Sequence, residues 1–205
     1  MYAICMLYTR KGDNGTTQTN FSSKNLNGQA KTFNCNQRVS KSSAIAEALG
    51  SLDETNSFIG LVRAKLIALN DSKFSILDSR FEQILLDVQE NLFIVQAELA
   101  GAEGKTISEE KVKEIENYID TAEKEMPPIK SFFIPGATEL GAMFDVARTI
   151  SRRAERRVVQ VVEDGTRKMG EHSRAYLNRL SSLLYALARL SNHKGGIAEK
   201  APTYK

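Results

Sequence analysis

The chain has 205 residues, 41% of them hydrophobic and 26% charged, with a formal net charge of +3. That length suits a single domain with a sizeable core, and the composition is that of an ordinary globular protein. The charge is too small to call for nucleic acid, which needs a concentrated basic face, and no run approaches the roughly 20 apolar residues of a membrane span. Residues 8–41 read as irregular, rich in Gly, Asn, Ser, Thr and Lys, and with the start of the chain they make up an N-terminal loop segment, 1–41. The apolar start at Met1–Leu7 is too short for a secretory core and has no basic leader. A cytoplasmic location is expected by default. Helical periodicity then takes over across 42–196, and a tail occupies 197–205.

Five helices are expected. The first follows Ser42 and Ser43 as caps and runs to Leu69. The second spans Ser75 to Ala102, with Phe81, Leu85, Val88, Leu92 and Val95 on one stripe at helical spacing. The third opens on a capping box, Thr106 with Glu109, and stops before Pro127 and Pro128. The fourth is capped by Thr138 after Pro135-Gly136 and ends near Asp164-Gly165. The fifth runs from about Ser173 to Gly195-Gly196, with Leu177, Leu180, Leu184 and Leu187 as its core face. Strand alternation is nearly absent. The pattern predicts an all-α fold, a five-helix antiparallel bundle behind an irregular N-terminal segment.

The fourth helix carries the densest chemistry: Arg148, Arg152, Arg153, Arg156 and Arg157, with Glu155 among them. At about 100° per residue, Arg148, Arg152, Glu155 and Arg156 share one side. Met143, Val146, Ala147, Ile150, Ala154, Val158 and Val161 form the opposite, apolar stripe, with Arg153 and Arg157 at its edge. Stacked guanidinium groups repel one another unless an anion neutralises them, and a planar fork suits phosphate oxygens. The competing reading is a solvated face balanced by Glu155 and Asp145.

Four further stretches stand out. Thr9-Arg10-Lys11-Gly12-Asp13-Asn14-Gly15-Thr16-Thr17 joins two glycines, two cations and several hydroxyls, the makings of a phosphate loop or simply of a turn. It is neither a Walker A loop nor a dinucleotide fingerprint. In the first helix, Asp53 and Glu54 are positioned to meet arginines of the fourth, and Gly50 and Gly60 permit close helix packing. Phe132-Phe133-Ile134-Pro135-Gly136 reads as a core plug before a turn. Asn178 interrupts an apolar helix and wants a partner if buried. Cys5, Cys35, His172 and His193 have no metal-ligand spacing, and no metal ligands are identified.

The ordered set Thr9-Arg10-Lys11-Gly12-Asp13, Gly50-x-x-Asp53-Glu54-x-Asn56-Ser57-x-Ile59-Gly60, Phe132-x-x-Pro135-Gly136, Arg148-x-x-x-Arg152-Arg153-Ala154-Glu155-Arg156 and Leu177-Asn178-Arg179-Leu180-Ser181 resembles the PduO-type ATP:cob(I)alamin adenosyltransferases. The resemblance covers Tyr8 to Gly196. It implies a homotrimer with sites between subunits, and transfer of the 5′-deoxyadenosyl group of ATP to cob(I)alamin with Mg2+ assisting. It also implies that Thr9, Arg10, Lys11, Gly12, Thr17, Gln18 and Lys41 line the nucleotide together with Arg152, Arg153, Glu155, Arg156 and Asn178. Asp53 would pair with Arg148 across the interface, and Phe132 would lie against the corrin and help exclude its lower axial ligand. A corrinoid reductase and an adenosylcobalamin-dependent enzyme are the implied partners. Ser182 stands where the family pattern often has Asp, and Ala137 where a second Gly is common. These departures motivate an alternative, a non-catalytic nucleotide- or corrinoid-binding delivery module.

Overall fold

The computed structural model describes residues 10–18, 38–69 and 75–204, the side chains of 75–79 excepted. Thr9, Cys5, Cys35 and the stretch 19–37 lie outside the described residues. Five helices carry the fold: α1 (Ala44–Ala68), α2 (Ser75–Ala100), α3 (Glu109–Lys124), α4 (Glu139–Glu163) and α5 (Glu171–Lys194). They close into a ring in the order α1, α4, α5, α3, α2. Ion pairs fix the directions. Glu47 meets Arg157 while Lys65 meets Glu139, so α1 and α4 are antiparallel. Arg179–Glu116 and Lys194–Glu125 make α3 and α5 parallel. Thus α1, α3 and α5 run one way and α2 and α4 the other, as expected of an up-down bundle.

Burial follows the 3.6-residue period. Phe81, Leu85, Val88, Leu92 and Val95 of α2 and Leu177, Leu180, Leu184 and Leu187 of α5 are all buried. Phe81 and Phe144 meet edge to face with centroids 6.0 Å apart, joining α2 to α4. The α4 stripe is rotated from its expected position. Phe144, Ala147, Ser151, Ala154, Val158 and Val161 face the core, whereas Val146 is 44% exposed and Met143 and Ile150 are half-buried. The ring sets this rotation, since α4 is flanked by α1 and α5 and its third side faces outward.

The caps show where local signals hold. Thr138 caps α4, its hydroxyl accepting from the Gly141 amide at 2.9 Å. Ser43 caps α1. The capping box at Thr106 does not form, because Ser108 occupies the cap position and Thr106 stands beside Ser173 of α5. Gly60 brings α1 close to Gln89 of α2, and a Cβ there would sit 3.1 Å from its amide nitrogen. Gly50 meets nothing, so its expected packing role is absent within the chain. The tightest approach is at Gly141, where a Cβ would fall 2.2 Å from the Asn192 side-chain oxygen of α5.

Strand pairing is present after all, in miniature. β1 (Thr16–Gln18) and β2 (Arg38–Ser40) pair antiparallel, Thr17 opposite Val39. The residues after α5 are not a loose tail. The Ile134 amide donates to the Lys200 carbonyl at 2.8 Å, tying 197–200 to the loop before α4.

Candidate functional site

The outward side of α4 is divided between two concavities that share one residue. The first is a cleft of about 480 Å³ between α3, α4, α5 and the loop before α4, lined by Phe132, Pro135, Arg148, Arg152, Ser182 and Tyr185 among others. The second is a polar groove over the next two turns, lined by Arg152, Glu155, Arg156, Gln160 and Asn178. Arg152 belongs to both. The helical wheel expected Arg148, Arg152, Glu155 and Arg156 on one side. They are, but Arg148 opens on the cleft and Arg156 on the groove.

Arg148 and Arg156 each have a defined setting. Arg156 donates to the Arg152 carbonyl at 3.1 Å, which turns its guanidinium back along the helix. Asn178 is exposed and donates its amide N–H to Glu155 at 3.0 Å. Arg179 donates to the Asn178 oxygen at 2.8 Å and to Glu116 of α3 at 2.9 Å. The Asn178 amide is therefore held in one orientation by charged neighbours on both sides. Arg148 lies 3.7 Å from Asp145, with its guanidinium 5.9 Å from the centroid of the Tyr185 ring. Burial raises the Tyr185 phenol above its usual pKa, with Arg189 opposing, so the ring presents a neutral, half-buried face.

Arg153 and Arg157 look elsewhere. Arg153 pairs with Glu54, and Arg157 lies 3.6 Å from Glu47, both acids on α1. The expectation that Arg153 completes the nucleotide site is thus not met within the chain, because a carboxylate on the adjacent helix claims its guanidinium. Asp53 is exposed and within the chain does not meet Arg148, which Asp145 holds instead.

The N-terminal segment forms a second cationic element. Arg10 takes a left-handed backbone, φ 58°, uncommon outside glycine. The Asp13 amide donates to its carbonyl at 3.4 Å, and Gly15 donates to Gly12 at 3.1 Å. A side chain at Gly12 would press on Lys41, whose Nζ lies 3.2 Å from the position of a Cβ. Arg38 staples the turn by donating to the Thr16 hydroxyl and carbonyl and to the Lys11 carbonyl. Gly12 and Lys41 are therefore adjacent, as a shared site requires, and Thr17 and Gln18 stand on β1 beside them. The Lys41 amide donates to Gly15 at 2.9 Å, two residues before the cap of α1, so this element sits at the end of α1 that meets Arg157.

Phe132 is 76% exposed at the rim of the cleft, so it is not the core plug its sequence suggested. Its neighbour Phe133 stacks on Arg189, 5.7 Å from the ring centroid. Sequence reasoning missed Arg189, Tyr185 and Glu199. A charged residue inside the leucine stripe of α5 was the available signal for Arg189, because an arginine there must be buried with a partner. Among the described residues no group of three or more acidic, His or Cys side chains gathers as metal ligands. No helix among them is long and apolar enough to cross a membrane.

The cobalamin adenosyltransferase family model matches residues 7–191. The chain belongs to the cobalamin adenosyltransferase family. The corrinoid adenosyltransferase of Bacillus subtilis is 36% identical over 199 residues, covering 94% of this chain and 90% of its own length. The corrinoid adenosyltransferase PduO of Citrobacter freundii is 37% identical over 194 residues, covering 91% of this chain. This chain spans only 50% of that relative's length. Among solved structures, a variant of the PduO-type ATP:corrinoid adenosyltransferase of Lactobacillus reuteri, complexed with cobalamin and ATP, superposes with a TM-score of 0.79 at 25% identity. That match covers 97% of this adenosyltransferase-family chain and 99% of the other.

Proposed function

We propose that this chain transfers the 5′-deoxyadenosyl group of ATP to cob(I)alamin, giving adenosylcobalamin and triphosphate. One observation carries the reading: Arg152 stands where an aromatic-rimmed cleft meets an arginine-lined groove. A reaction joining a broad ring system to a nucleotide needs a cation at that junction. Co(I) is itself the nucleophile. Its electron pair forms the Co–C5′ bond, the C5′–O bond breaks, and triphosphate leaves with the pair of the broken bond.

The chain's own contribution is alignment and charge. Arg152 and Arg156 neutralise the departing triphosphate, which is where preorganised cations lower a barrier most. Asn178 and Glu155 present a fixed polar edge to the nucleotide. Lys41, Gly12, Arg10, Lys11, Thr17, Gln18 and Thr9 form its loop side. Phe132 and Tyr185 offer the corrin an apolar boundary, which favours loss of a polar lower axial ligand and so eases formation of Co(I). No side-chain base is required. Mg2+ enters as MgATP, and with Glu155 the only carboxylate on the arginine groove besides Glu163, phosphate oxygens would supply most of its ligands.

The working unit on this reading is a homotrimer with Asp53 of one copy meeting Arg148 of the next. Arg148 Nε is buried without a hydrogen bond in the single chain, and Leu61, Phe93 and Val146 are exposed on the bundle surface. Light scattering should return three times the chain mass. In the cytoplasm, a corrinoid reductase would supply Co(I) and an adenosylcobalamin-dependent enzyme would receive the product.

The deciding experiment incubates the protein with MgATP and chemically reduced cobalamin and follows the corrinoid spectrum. Adenosylcobalamin with intact triphosphate is the expected outcome. Phosphate in place of triphosphate points to a hydrolase. Ligand binding by folded protein without product points to the delivery module.

A further inference from the structure

Arg189 is buried to 2% exposure, near the C-terminal end of α5, between two carboxylates: Asp145 of α4 and Glu199 of the segment after α5. Its guanidinium lies 4.9 Å from the centroid of Tyr185 and 5.7 Å from that of Phe133. Glu199 is itself only 10% exposed and stands 2.6 Å from Arg189. It also accepts from the Asn192 amide at 2.7 Å, and the Asn192 oxygen accepts from Thr138, the cap of α4. One residue further on, the Lys200 carbonyl takes the Ile134 amide at 2.8 Å. At the near end the Ile197 amide donates to the Asn192 carbonyl at 3.1 Å. Residues 197–200 therefore form a strap, fixed at one end to α5 and at the other to the loop that carries Phe132 and Phe133.

We propose that Glu199 is a positioning residue for the corrinoid side of the reaction, setting the Phe132–Pro135 loop and the Arg148 guanidinium through Arg189. The proposal rests on the adenosyltransferase reading above. A carboxylate this buried is costly in lost hydration unless it is paired, so the strap is seated by its pairing with Arg189. Two consequences reach the cleft. Without the Glu199 charge, the strap loses its seat and the loop loses the Lys200 acceptor. Arg189 is then left with Asp145 alone, and Asp145, 3.7 Å from Arg148, is drawn away from it. Both consequences fall on Phe132, Tyr185 and Arg148, which line the cleft. Neither touches Arg156, Glu155 or Asn178 in the groove.

The test compares wild type, Glu199→Gln, Glu199→Ala, Phe132→Ala and the double variant Glu199→Gln/Phe132→Ala, in steady-state turnover with cob(I)alamin and MgATP. Glu199→Gln, nearly isosteric and still able to accept from Asn192, should raise KM for the corrinoid at least tenfold and leave KM for ATP within twofold. In the Phe132→Ala background the same change should cost clearly less than in the wild-type background, because the loop side chain it positions is already gone and only the Arg148 route remains. Equal rises in both KM values, no change in either, or full additivity with Phe132→Ala overturns the proposal. If Glu199→Ala does not fold, Glu199→Gln carries the test. Hydrogen exchange at the Ile134 amide gives a readout independent of turnover. Faster exchange in Glu199→Gln than in wild type supports the strap, and unchanged protection overturns it. A wild type that binds ATP without adenosylating cobalamin overturns the corrinoid role itself, and the exchange result then judges the strap alone.

Discussion

Arg152 and Arg153 are adjacent in the chain, yet they serve different sides of α4. Arg153, like Arg157 one turn on, turns to α1 and pairs with an acid there. Arg152 opens on both hollows of the outer surface, and Arg156 on the groove beside it. One face uses arginine to join helices, and on the proposed reading the other holds it for the triphosphate. The difference arises from what stands opposite. Glu47 and Glu54 of α1 face Arg153 and Arg157, whereas the groove has two carboxylates, Glu163 and a Glu155 already engaged with Asn178. Arginine content alone therefore says little about a phosphate site.

That contrast can be strained from several directions. The largest effect is expected at Asp145, which anchors both Arg148 and the buried Arg189. Asp145→Ala leaves buried charge under-compensated and should cost about 3–5 kcal/mol of stability in urea denaturation. A cost below 1 kcal/mol would mean that the cleft cations do not depend on it. Arg179→Ala releases the Asn178 oxygen. It should lower kcat/KM for ATP by about 0.5–1.5 kcal/mol, while KM for the corrinoid stays within twofold. Loss on the corrinoid side instead would mean that groove and cleft are not separate.

Smaller changes probe the helix-joining face. Arg153→Ala removes a half-exposed pair and should cost about 0.2–1 kcal/mol of stability with kcat/KM nearly intact. A large activity loss without destabilisation would return Arg153 to the nucleotide. Least affected should be Glu125→Gln, on the far side of the ring. Hydrogen bonds from Arg80 and then Lys194 hold the Glu125 carboxyl below its usual pKa. A depressed carboxylate stabilises the fold above its unfolded pKa and loses that contribution as pH falls through the folded value. Thermal scans should therefore separate wild type from Glu125→Gln slightly at neutral pH and converge in acid below the ordinary carboxylate range.

The helices were legible because their apolar residues repeat at 3.6 and their ends carry chemistry, as Thr138 does for α4. Thr106 misled because a capping box is a local pattern, and here the threonine is beside Ser173 on another helix. The three-residue strands are too short to show alternation. On α4 the wheel separated the arginines correctly but mis-set the apolar stripe at Val146, since the packing of α1 and α5 fixes the rotation. Asn178 and Glu155 were legible as candidate residues, and their contact with each other was not. The Asp145–Arg189–Glu199 cluster joins residues far apart in the chain, and only an arginine among leucines hinted at it.

The central claim is that Arg152 and Arg156 hold the triphosphate and the α1-facing Arg153 and Arg157 do not. Comparing kcat/KM for ATP between Arg152→Ala and Arg157→Ala tests it most directly. Loss of a charged hydrogen bond at Arg152 should cost about 1.5–3 kcal/mol, roughly 10- to 150-fold, with Arg157→Ala within about twofold of wild type. Equal losses in the two variants would contradict the account.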